Sequence, residues 1–133
     1  MTVVPTCGQL ERTLSQRIQA LYRDQLGHRL GKVTCQLFET KLAIVIEDSI
    51  TQPEQVLAQE GQNNLAREVH ALLDHVIQPQ LKTLIEQVLE VNVIDVLSDA
   101  AFETGRTGII AVLTETPDVR NPDSIPKSRK GEV

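Results

Sequence analysis

Aromatic side chains are nearly missing from this chain: Tyr22, Phe38 and Phe102 are all it has, with no tryptophan. Binding of single-stranded nucleic acid relies on rows of rings on which bases stack, so three scattered rings speak against it. A formal net charge of −5 speaks against any phosphate-rich partner. Cysteine is scarce as well. Cys7 and Cys35 form no CxxC pair, and two isolated thiols of this kind read as plain reduced side chains. Long apolar runs are absent: LAIVI at 42–46 is as long as they get, far short of the roughly 20 residues that a membrane-crossing helix needs. The N-terminal MTVVPTCGQLERTLSQR has neither the basic start nor the apolar run of a signal peptide. These absences predict a cytoplasmic protein with no direct membrane insertion and no nucleic-acid partner.

The common chemical signatures are missing too. There is no HExxH, and His70 and His75, five residues apart, point roughly 140° from each other on a helix and cannot share a metal. LGHRLGK lacks the GxxxxGK[ST] spacing of a phosphate-binding loop. Cys35 alternates with Val33 and Leu37 on a strand pattern and reads as a core residue rather than a nucleophile. No catalytic residue, cofactor or metal is expected, and the residues lean away from an enzyme without deciding the matter.

What is present is an aliphatic core pattern in a chain of 133 residues, the size of one domain. Leu10, Leu14, Ile18 and Leu21 recur at spacings of three and four, which predicts a helix over 8–26 closed by Gly27. Val33, Cys35 and Leu37 alternate with polar residues, and KLAIVIEDS is rich in branched side chains; the two segments predict a hairpin turning at 39–41. In SITQPEQVLA, Thr51, Pro53 and Glu54 fit a helix start with a capping box. VNVIDVLSD and GIIAVLTE, joined through Gly105, predict a second hairpin. The expected order is α-β-β-α-α-β-β: an α+β two-layer sandwich with about four antiparallel strands covered on one face by helices. Residues 1–7 read as an extension, 8–114 as the domain, and 115–133 as a disordered polar tail holding Pro117, Pro122, Pro126 and the small basic cluster Lys127, Arg129 and Lys130.

The long helix NNLAREVHALLDHVIQPQLKTLIEQVLEV poses a sharper question, because Pro79 interrupts it. At about 100° per residue, Leu65, Val69, Leu72, Leu73 and Val76 share one face, while Leu81, Leu84, Ile85, Val88 and Leu89 centre roughly 100° away. A kink could bring both sets onto one core. A straight helix with two apolar faces would need a second cover, for which a symmetric copy of the chain is the simplest candidate. The second arrangement is favoured here, which makes Ile77, Leu81, Leu84, Ile85 and Val88 the candidate homodimer interface. Along the same helix, Arg67, His70 and Asp74 follow at spacings of three and four. They form either a solvated strip with an i,i+4 His–Asp contact or a recognition edge for a partner or small anion, with His70 able to titrate near neutrality.

Four segments taken in order, GQLERTLSQRIQALYRDQLGHRLGKV, LAIVIEDSITQPEQVLA, LAREVHALLDHVIQPQLKTLIEQVL and VNVIDVLSDAAFETGRTGIIAVL, resemble the MpsC-like (YbcI-like) bacterial domain family. The resemblance covers about residues 8–114 and carries no catalytic residues over. It implies a soluble accessory or regulatory subunit of a sodium-translocating, membrane-potential-generating system of a kind also linked to bicarbonate uptake. The resulting expectation is a non-enzymatic, homodimeric interaction protein serving a membrane transport complex. The alternative is a small-ligand (anion or nucleotide) sensor or minor enzyme using a pocket between sheet and helices.

Overall fold

The computed structural model describes residues 3–127. Seven main elements follow in the expected order: α1 (Cys7–Leu26), β1 (Val33–Phe38), β2 (Lys41–Ile46), α2 (Gln52–Gln59), α3 (Asn63–Leu89), β3 (Val93–Ala101) and β4 (Arg106–Leu113). The strands form one antiparallel sheet ordered β1-β2-β4-β3. Helices cover one face of it, as the α+β reading expects.

Each boundary has a local cause. Thr6 and Gln9 form a reciprocal capping box at the start of α1, so the chain just before residue 8 already belongs to the helix terminus. Gly27 ends α1 in the left-handed conformation at φ 61°, where a side chain would be strained. In the β1–β2 turn Glu39 takes φ 52°, a conformation that Asn or Gly adopts more readily, so the turn forms without the sequence signature that usually marks it. Alternation then sorts the sheet. Val33, Cys35 and Leu37, Leu42, Ile44 and Ile46, and Ile109, Ala111 and Leu113 are buried beneath the helices. From above, Leu14 and Ile18 of α1 and Ile77, Leu81 and Ile85 of α3 meet them in one aliphatic core.

That packing corrects the interface expected from the sequence. Ile77, Leu81, Leu84 and Ile85 are no more than 6% exposed within a single chain, and Val88 packs partly buried against the same core. α3 runs helically through Pro79, and its inward stripe is continuous: Ala66, His70, Leu73, Ile77, Leu81, Leu84 and Val88, at helical spacing. Two of those positions are a small residue and a histidine, so counting large apolar side chains mis-centres the stripe in the first half. The residues left outside are Leu65, Leu72 and Val76, at 43%, 67% and 54% exposure. Pro79 itself is exposed, so its missing N–H falls on the wet side. There the Gln80 side chain donates to the Val76 carbonyl, and Thr83 donates to that of Pro79.

The expected disordered tail is also corrected as far as residue 127. Val119 and Ile125 are buried in the main core, and a short 3-10 turn spans Pro122–Ser124. Hydrogen bonds hold the segment against the rest of the domain: the Arg120 N–H donates to Pro5 O, the Cys7 N–H to Asn121 Oδ1, and the Glu39 N–H to Pro126 O. Two aliphatic anchors and three such bonds suffice for a strap. Arg129 and Lys130 of the predicted basic cluster lie outside the described residues.

Candidate functional site

The polar constellation of this protein gathers where α2, α3, α1 and the β3–β4 turn meet. Its centre is Glu54, in the first turn of α2 and only 1% exposed. A buried carboxylate requires partners, and two supply them. Thr51 Oγ1 donates to Glu54 Oε1 at 3.0 Å, and His70 Nδ1 lies 2.9 Å from Oε2. The expected capping box is thereby corrected. Thr51 makes no side-chain bond to the backbone of α2; its hydroxyl is turned to the carboxylate, and the carboxylate to the histidine.

His70 reaches Glu54 from the inward stripe of α3. The hydrogen bond to the carboxylate, and the charges of Glu54, Asp74 and Asp99, raise its pKa above the ordinary 6.5, against burial, which lowers it. The imidazole also meets the Phe102 ring edge-on, with centroids 5.3 Å apart. The Arg67 guanidinium lies over the same ring at 5.7 Å, a cation–π contact. Asp74 does not pair with His70 as the i,i+4 reading suggested. It accepts hydrogen bonds from Ser98 Oγ on β3 and from Gln78 Nε2 at 3.1 Å. The predicted trio therefore gathers on one flank of α3, each member with a different partner: Arg67 on Phe102, His70 on Glu54, Asp74 on Ser98.

His70 and Asp74 separate two spaces. Inside is a chamber of about 10 Å³, room for roughly one water, lined by Tyr22, Ser49, Glu54 and Thr107 among others. Ser49 and Thr107 bond each other at 2.7 Å, and Ser49 Oγ donates to the Gly105 carbonyl. Burial, with the charges of Asp74 and Glu54, pushes the Tyr22 hydroxyl up to about 12. Outside lies a cleft of about 250 Å³ between α3 and the end of β3, where Arg67, Ser98, Asp99 and Phe102 join the wall. Glu54, Tyr22, Ser49, Thr107 and Phe102 were missed as members of this site. The one available signal was an acidic side chain in SITQPEQVLA lying inward, which a cap reading absorbs.

The arrangement can hold and exchange a proton between an imidazole and a carboxylate. It contains no activated nucleophile. Both thiols are buried and free; burial and the nearby Glu11 push Cys7 up to about 11, and burial raises Cys35, so neither is a thiolate near neutrality. Among the described residues no group of three or more His, Cys, Asp or Glu converges as a metal site. His75 is exposed, and His28 Nε2 lies 2.6 Å from the Asp48 carbonyl. Among the same residues no helix is long and apolar enough to cross a membrane.

A family model described as "MpsC: Na+-translocating membrane potential-generating system (MpsC)" matches residues 6–115. No curated protein and no solved structure matches the chain.

Proposed function

This chain belongs to the MpsC family, and from that premise we propose that it is a non-enzymatic, cytoplasmic accessory or regulatory protein. It works as a homodimer and serves a membrane sodium-translocating system, or the bicarbonate uptake linked to such systems. The observation that carries this reading is the contrast between surface and interior. Large aliphatic side chains, among them Leu72, Val76, Ile94 and Leu97, stand more than half exposed, as on proteins built to be covered by others. The polar constellation, by contrast, has a proton-holding pair and no nucleophile. Co-purification of the tagged protein from native membranes under gentle solubilisation tests it. Stoichiometric recovery of a membrane-embedded transport subunit is expected, and recovery with no membrane partner overturns the reading.

A second reading is favoured by the cleft at Arg67, His70 and Asp74. Its wall places a guanidinium and a histidine of raised pKa beside a hydroxyl, which suits a small anion sensed through the protonation of His70. Thermal-shift measurements with bicarbonate, phosphate and nucleotides separate the two: a shift abolished by Arg67→Ala supports the sensor, and no shift with any of them removes it.

A further inference from the structure

The helices leave the other face of the sheet bare. Side chains on that face form three cross-strand rows, fixed by register: Phe38, Lys41, Val112 and Asp95; Gln36, Ala43, Ile110 and Leu97; Thr34, Val45, Gly108 and Asp99. The middle row is aliphatic across β2, β4 and β3, and Val45 and Val112 extend it diagonally above and below. Leu97 is 60% exposed and Val45 43%; Ala43, Ile110 and Val112 are half-buried. One-sided antiparallel sheets ordinarily turn polar residues to water on the free face, so five aliphatic side chains at its centre need an explanation.

We infer that this bare sheet face is a self-association surface, meeting the same face of a second copy across a twofold axis parallel to the strands. The inference rests on the homodimer reading above and assigns its interface.

Area separates this face from the other exposed patch. Four strands about 4.8 Å apart and six to nine residues long, at about 3.3 Å per residue, present a footprint of roughly 450 Å² per copy. Two copies together approach the ~1,000 Å² that a specific interface needs. The outer ridge of α3, Leu65 to Val76, is about 17 Å long and one side chain wide, and falls several-fold short.

Charge selects the axis. The acidic side chains of the face, Asp95 and Asp99, both stand on β3 at one edge, and Lys41 stands on β2 in the row of Asp95. A twofold across the strands would stack β3 on β3, setting Asp95 of one copy against Asp99 of the other in a drying interface. A twofold along the strands instead lays β1 over β3 and β2 over β4. Each Asp95 then comes one strand away from the second copy's Lys41, and the aliphatic row closes on itself. Packed sheets of this kind stand about 10 Å apart, which these side chains fill.

The test is the mass of the full chain by light scattering and sedimentation at micromolar to 100 μM concentration, for wild type, Leu97→Lys, Val45→Lys and Leu72→Lys. All three substitutions are at exposed positions, and circular dichroism checks the fold. The expected result is a dimer for wild type and Leu72→Lys, with at least a tenfold weaker dimer for Leu97→Lys and Val45→Lys. A monomeric wild type overturns the homodimer reading itself. A wild-type dimer that survives both sheet-face lysines, or that only Leu72→Lys breaks, overturns the assignment of the face while leaving the dimer. Val45→Cys checks the axis independently, since Cys7 and Cys35 are buried and Val45 stands one strand from its copy in the same row under the strand-parallel twofold but two rows away under the other. A short bis-maleimide is expected to link two copies, and failure to do so in a confirmed dimer overturns the strand-parallel twofold.

Discussion

The two halves of α3, before and after Pro79, face the same sheet with different chemistry. After the proline the inward positions are Leu81, Leu84 and Ile85, all buried against the main core. Before it they are Ala66, His70, Leu73 and Ile77, of which Ile77 alone joins the main core, and the half carries Leu65, Leu72 and Val76 outward. One helix thus serves as scaffold at its C-terminal end and holds a titratable site at its N-terminal end. The rigid half fixes the register from which His70 reaches Glu54. An aliphatic residue in place of His70 would fit the stripe equally well by pattern, yet it would leave a buried carboxylate with Thr51 alone.

If that division is right, the largest loss on substitution comes from the second half. Ile85→Ala removes a side chain with no exposure from the centre of the core, where such truncations cost about 2–5 kcal/mol. Urea unfolding is expected to show a loss in that range, and one below about 1 kcal/mol would mean that α3 does not carry the core. Slightly smaller is Ile125→Ala on the C-terminal strap, whose side chain is 2% exposed but lies near one edge of the domain; about 2 kcal/mol is expected by the same measurement.

These two positions show how differently the sequence spoke of the parts. Ile85 was legible as apolar because regular elements repeat: Leu10, Leu14 and Ile18 declare a helix by spacing, and Val33, Cys35 and Leu37 a strand by alternation. The strap has no period. Val119 and Ile125 sit alone among prolines and charges, and a single aliphatic residue shows no sign of burial until the groove that receives it exists. The site was half legible for a related reason. Arg67, His70 and Asp74 lie on one helix, so spacing alone gathers them. Glu54, Ser49, Thr107 and Phe102 come from elsewhere in the chain, and only the packing of α2 on α3 and the β3–β4 turn brings them near. The interface was misplaced because histidine was counted as polar and leucine as inward, whereas His70 turns in to the buried Glu54 and Leu72 points out to solvent.

Glu54→Gln probes the first half directly. It keeps the shape and a hydrogen-bond acceptor but removes the charge facing His70, and a bond to a charged partner is worth about 1.5–3 kcal/mol. The sign of its pH dependence follows from the direction of the shift. The folded pKa of His70 is raised above 6.5, so its stabilisation is fully present below that value and is lost as pH rises through the raised one. Wild type and variant are therefore expected to differ most near about pH 6 and to converge in more alkaline solution. The His70 ring resonances in NMR are expected to titrate lower in the variant. An unchanged His70 titration would show that Glu54 is not its proton partner.

Leu72→Lys tests the opposite side of the same half. Leu72 is two-thirds exposed and one turn from His75 and Val76 on the wet side of α3, where leucine and lysine have similar helix propensity. Surface replacements of this kind stay within about 0.5 kcal/mol, and the lysine also adds a positive charge to an acidic protein. The unfolding midpoint and the His70 titration are both expected to match wild type. A loss above 1 kcal/mol would mean that the outer ridge is covered in solution, and the contrast between a core-bearing and a site-bearing half of α3 would then have to yield to a helix buried on both faces.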